Sequence, residues 1–179
     1  IDVTITGIGN YTGTVTRTYK VTPKEYTVTT DSATKTYSAT ALTAGGKVEG
    51  IVSGETVEST TTGSQTEVGT SKNTYELVWK SAKATNYTLA NESIGELTVK
   101  AKSIVPDGPN TPDEKKTGIT VSEPSDSKYD GKEHKEVLTV TDTKTGKELV
   151  AGTDYSVTYS SDLVNAGTVK VTVAGLGNY

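Results

Sequence analysis

Residues 155–179 read YSVTYSSDLVNAGTVKVTVAGLGNY. Tyr155, Val157 and Tyr159 form one face against Ser156, Thr158 and Ser160. After a turn at Asn165-Ala166-Gly167, Val169, Val171 and Val173 alternate with Lys170, Thr172 and Ala174. An apolar residue at every second position lines one side of an extended chain, because successive Cβ atoms point to opposite faces. The run therefore predicts two half-buried strands.

The same period recurs upstream. Ile1, Val3 and Ile5 alternate with Asp2, Thr4 and Thr6, and the turn-rich stretch Gly7–Gly13 follows. Val15, Tyr19 and Val21 then share a face with Arg17, whose charge breaks the pattern and whose stem reads as one that snorkels to an edge. Pro23 ends that run. Further strands are predicted at Tyr26–Val28, at Tyr37, along Tyr75, Leu77 and Trp79, along Leu97, Val99 and Ala101, and at Ile119–Val121. Leu138 and Val140 pair with Leu149 across the Thr143–Gly146 turn. The stretch from Gly45 to Gly69 holds only the weak strand seeds Ile51-Val52 and Val57, and glycines oppose a short helix over 47–58.

Three of the five prolines lie in residues 105–116, VPDGPNTPDEKK, which read as an extended, semi-rigid linker. The expected division is a terminal strand pair of a preceding module at 1–22, a β module at 23–104, the linker, and a second β module at 117–179 that lacks its last strand.

Composition narrows the function classes. The 179 residues include no Cys and one His, which excludes thiol catalysis, disulfides and Cys- or His-based metal cages. A net charge of -4 argues against nucleic acid as a partner. No run approaches the roughly 18 apolar residues of a membrane span. Thr accounts for 35 residues, and Leu, Ile and Val together for only 35, so the alternating pattern describes thin β modules. A Thr-rich, Cys-free, weakly acidic chain suits a bacterial surface.

Residues 1–11, IDVTITGIGNY, match 169–179, VKVTVAGLGNY, at six of eleven positions, with Ile1, Ile5 and Ile8 exchanged for Val169, Val173 and Leu176. The offset of 168 residues is the mark of a tandem array. After Tyr11 the first copy continues as the strand TGTVTRTYKV. A segment spanning Thr14, Val15, Tyr19 and Val21 of one molecule is thus expected to complete the sheet of the next, head to tail. Whether the out-of-phase ends matter in a longer chain stays open.

Three stretches point to a family: Tyr129-Asp130-Gly131-Lys132, the run from Gly152 to Tyr179, and GNYTGTVTRTYKV from Gly9. They resemble the tandem YDG-type β modules of bacterial surface adhesins. Residues 23–102 resemble the companion MBG-type module through Pro23, Tyr37, Val52–Thr56, Asn86-Tyr87-Thr88 and a closing strand. The resemblance implies β-grasp-like or Ig-like modules in series in a large cell-surface protein. It carries over no catalytic residue, and no LPxTG-type anchor is present in these residues.

Other motifs read as turns. Gly7-x-Gly9-x-x-Thr12-Gly13 misses the dinucleotide fingerprint and precedes a strand. Ser32–Lys35 and Lys144–Gly146 match two penicillin-binding motifs, without the third. His134 reads as an exposed residue after a turn, and the Asn-x-Ser/Thr triplets read as chance matches in a Thr-rich chain. Asp107, Asn110 and Asp113, with Glu114, gather oxygen ligands without EF-hand spacing and are the candidates for a linker calcium. Lys80, Lys100, Asn86 and Gln65 are candidates for an internal amide crosslink. Trp79 is the candidate for stacking on a sugar, although its place in the alternation reads as core.

The expectation is an all-β chain of two modules without enzymatic activity or cofactor, acting as an extracellular stalk or spacer on the cell surface or wall. The alternative is a module that itself binds glycan, mucin or a host protein. The expected partners are neighbouring repeats and other copies of the chain, with no nucleic acid and no membrane insertion.

Overall fold

The computed structural model describes residues 1–160 and 162–179. The fold is all-β, with fifteen strands in six small sheets and two single 3₁₀ turns among the described residues. Strands β1 (Asp2–Thr6) and β2 (Thr14–Thr18) form an antiparallel hairpin in which every residue is exposed. The body begins with β3 (Lys24–Thr30), β4 (Ala33–Thr36), β5 (Gly46–Glu49) and β6 (Val57–Thr61). It continues with β7 (Gly69–Lys72), β8 (Tyr75–Trp79), β9 (Tyr87–Ser93) and β10 (Glu96–Lys100). Beyond residues 105–116 lie β11 (Ile119–Val121), β12 (Val140–Asp142), β13 (Lys147–Glu148), β14 (Tyr155–Tyr159) and β15 (Val171–Gly175).

Within 23–104 the sheets are ordered β5-β3-β9, β4-β10-β7 and β6-β8. The first strands of this region, β3 and β4, run parallel to its last, β9 and β10, while the remaining pairs are antiparallel. Buried Asn73 ties these layers together: its amide donates to the carbonyls of Asp31 at 3.0 Å and Gly45 at 3.1 Å. Beyond the linker the orders are β11-β12-β13 and β14-β15.

Side chains pack in two places. Tyr26, Trp79 and Tyr87 meet edge-on or tilted, with centroids 5.3–6.4 Å apart. This brings β3, β8 and the start of β9 together. The larger cluster joins Tyr37 and Val99 to Ile119, Val140, Leu149, Tyr155 and Tyr179. It draws on both sides of residues 105–116, so one buried cluster spans the two regions. Each fully buried aliphatic side chain there, such as Val99 or Val140, stabilises by about 1.5–3 kcal/mol relative to exposure.

Several boundaries differ from the sequence expectation. Tyr19 and Val21 lie beyond β2, Leu138 precedes β12 and Val169 precedes β15. Ile51-Val52 forms no strand; the Gly45–Gly69 stretch instead supplies β5, β6 and the first residue of β7. These short strands are held by main-chain ladders that need no apolar pattern. No helix among the described residues is long and apolar enough to cross a membrane.

Candidate functional site

The duplicated segment is the feature from which the site is built. Both copies end in the same turn. Gly9 and Gly177 adopt positive φ, 67° and 61°, the left-handed region that glycine enters without steric cost. The Tyr11 amide donates to the Ile8 carbonyl at 3.3 Å, and the Tyr179 amide to the Leu176 carbonyl at 3.1 Å. Gly7 and Gly175 occupy matching positions where the chain folds back, and a Cβ on either would strike the main chain of Tyr11 or Tyr179 respectively, at 2.8 and 2.4 Å. Local sequence thus produces one local structure twice.

The surroundings diverge. Tyr179 is 7% exposed, packs edge-on against Tyr37 at 5.6 Å and donates its hydroxyl to Asp142 Oδ2 at 3.3 Å. Burial, with Asp142 adding to it, pushes its phenol up to about 12. Asn178 bridges to the first region: its carbonyl accepts from the Lys102 amide at 2.9 Å and its Oδ1 from the Val68 amide at 2.9 Å, while its Nδ2 donates to Glu67. Tyr11, the counterpart of Tyr179, is 79% exposed.

A buried ion pair closes the same junction. Lys102 Nζ lies 2.6 Å from Asp142 Oδ1, and both side chains are buried. The carboxylate also accepts from the Lys144 amide at 3.1 Å and the Thr145 amide at 3.3 Å. Burial alone would push the Asp142 carboxyl up; Lys102 and the Thr145 bonds outweigh it and hold it below the usual carboxylate range. Sequence reading missed this pair, because Lys and Asp letters look the same at the surface and in a core.

The linker is pinned as well. Asp107 Oδ1 accepts from the Thr117 amide at 2.7 Å, and Oδ2 from the Gly118 amide at 2.8 Å. These two amides hold the Asp107 carboxyl below its ordinary value. Asp113 pairs with Lys116 at 2.6 Å, and Asn110 is exposed in a turn. Asp107 and Asp113 are thus engaged with protein donors. No cluster of three acidic or imidazole side chains suited to a metal occurs among the described residues.

The remaining candidates are dispersed. Trp79 is half-buried in the aromatic trio with Tyr26 and Tyr87. Lys80 pairs with Glu58 at 3.2 Å, Gln65 donates to the Glu67 carbonyl, Asn86 closes a 3₁₀ turn and Lys100 ends β10. His134 contacts Asp130 at 2.9 Å. Thr14 and Val15 lie on exposed β2, with Tyr19 and Val21 exposed just after it.

One surface gathers what the sequence scattered. A groove of about 420 Å³ runs beside β15, lined among others by Ile104, Val105, Val121, Leu138, Val171 and Val173. Its walls come from four separated segments. Comparison with known proteins adds no assignment: no family model, curated protein or solved structure matches this chain.

Proposed function

We propose that the chain is a non-enzymatic structural segment, a stalk or spacer, of a bacterial surface adhesin built from tandem β modules of the MBG and YDG type. The observation that carries this reading is the duplicated hairpin, repeated at 168 residues with the same turn geometry in both copies. A spacer needs joints that resist bending. The cluster crossing residues 105–116, the Lys102–Asp142 pair and the Asp107 bonds to Thr117 and Gly118 all brace one region against the next. The β-grasp-like or Ig-like character of the modules, and the extracellular location, belong to the same proposal.

Small-angle X-ray scattering on chains of one, two and four 168-residue periods tests it. A spacer lengthens in proportion to the number of periods while its cross-section stays constant. A cross-section that grows with period number overturns the reading. Saturable binding of mucin or an arrayed glycan, lost in a folded Trp79→Ala variant, would replace it with a recognition role.

A further inference from the structure

β15 pairs with β14 along one edge and has no second neighbour among the described residues. Hydrogen-bond parity shows what that open edge offers. In an antiparallel ladder, directly opposed residues alternate between hydrogen-bonded and non-bonded pairs. Ser160 bonds Lys170, and Leu176 bonds Asp154, at 2.9 Å each. The bonded residues of β15 are therefore the even-numbered ones, Thr172 and Ala174. The amides and carbonyls of Val171 and Val173 point the other way, to the open edge.

The hairpin shows the complementary half. Tyr19 bonds Ile1 at 3.0 Å, and Gly7 bonds Gly13 at 2.9 Å, so Val3 bonds Arg17 and Ile5 bonds Val15. Shifted by 168, Val3 and Ile5 are Val171 and Val173. The groups that β1 uses to hold β2 are the groups that β15 leaves unpaired.

We propose that β15 is an acceptor edge for the Thr12–Val21 strand of a second copy of this chain, which leaves its own β1 to take up the equivalent register on β15. Val15 then opposes Val173, Arg17 opposes Val171 and Tyr19 opposes Val169. Main-chain pairing is exchanged one for one. The gain is side-chain burial: Val15 and Tyr19 are exposed on the hairpin and on β15 lie along the apolar groove.

Charge supports the same register. Arg17 sits among apolar residues of the hairpin and bonds only the neighbouring Thr16 carbonyl, at 3.1 Å. Its place opposite Val171 lies between two acid-bordered hollows. Glu123 lines the groove, and Asp126 and Glu136 line the adjoining cavity of about 230 Å³ that shares Val169 and Val171. The nearby Lys135 is occupied over the Tyr159 ring at 5.2 Å. Donor and acceptor lie on different parts of the chain, so the contact is head-to-tail and builds rings or filaments. The proposal does not depend on the spacer reading.

Sedimentation velocity of the full chain over a wide concentration range tests it, with the synthetic peptide TGTVTRTYKV as competitor. Val15→Pro removes a donor amide and Arg17→Glu reverses the charge; both lie on a strand whose residues are all exposed, so the body keeps its fold. Concentration-dependent association, reversed by excess peptide, abolished by Val15→Pro and weakened roughly tenfold by Arg17→Glu, is the expected result. A monomer at every concentration overturns the proposal, even if the peptide binds, because the second copy is then not the donor. Association indifferent to both variants overturns it too, since another surface would carry the contact.

Discussion

Tyr11 and Tyr179 end the same eleven-residue motif, in the same turn, behind glycines of the same backbone conformation. One ring stands in solvent and the other is packed against Tyr37 and bonded to Asp142. The contrast separates two levels of folding. The turn is local: the glycines, the tight backbone return and the i to i+3 bond follow from the letters alone. Burial is not local, since it depends on Tyr37, Val99 and Asp142, which the chain supplies from far away around only one copy.

The sharpest way to break the comparison is to truncate both rings. Tyr179→Ala should cost about 3–5 kcal/mol in urea unfolding monitored by Trp79 fluorescence, the range for an aromatic removed from a core. Tyr11→Ala should leave the main transition within about 0.5 kcal/mol, as for other exposed substitutions. Equal losses would mean that the hairpin packs on the body in solution.

How much of this was legible beforehand depended on which force shaped each segment. β8, β10, β14 and β15 were readable because one-sided burial writes a period of two, as in Tyr75, Leu77 and Trp79 or in Leu97 and Val99. β5 and β7, GKVE and GTSK, have one apolar side chain beyond glycine between them. They are sheet edges paired through the main chain, which leaves no trace in side-chain type. β9 is mostly exposed and is held by its parallel pairing with β3. The repeat, and with it the donor strand, was visible as identity at a fixed offset. The acceptor groove was not, because Ile104, Val121, Leu138 and Val171 converge only after folding.

The ion pair sharpens the comparison from the side of the surroundings. Lys102→Met leaves the Asp142 carboxylate buried without its counter-charge, which should cost about 3–5 kcal/mol at neutral pH. The pH dependence carries the sign. An unfolded aspartate titrates near 3.9, and the folded Asp142 lies lower, so the pair contributes fully above about pH 4–5. That contribution drains away as pH falls through the folded value. In Lys102→Met only burial and the remaining hydrogen bonds act, the carboxyl takes up a proton more readily, and the deficit against the parent should narrow as pH drops from 7 towards 4. Denaturant unfolding of both proteins at several pH values measures this. A deficit independent of pH would mean that the loss comes from the packing of the Lys102 stem.

The smallest expected effect falls on the turn itself. Gly177→Ala and Gly9→Ala place a Cβ at positive φ with nothing closer than 3.6 Å, so the penalty is conformational at both sites, about 1–2 kcal/mol. At Gly177 that strain is coupled to Asn178 and Tyr179, whose bonds to Lys102, Val68 and Asp142 join the two regions, and it should lower global stability by the full amount. At Gly9 the strained turn closes a hairpin whose strands are exposed throughout, so the strain is relieved by opening that hairpin alone. Hydrogen exchange distinguishes the two. Gly9→Ala should speed exchange at Val3, Ile5, Val15 and Arg17 and leave β14 and β15 as in the parent. Gly177→Ala should raise the exchange rate of the most protected amides on both sides of residues 105–116 by a common factor of roughly tenfold, because a unit that shares one buried cluster opens as one.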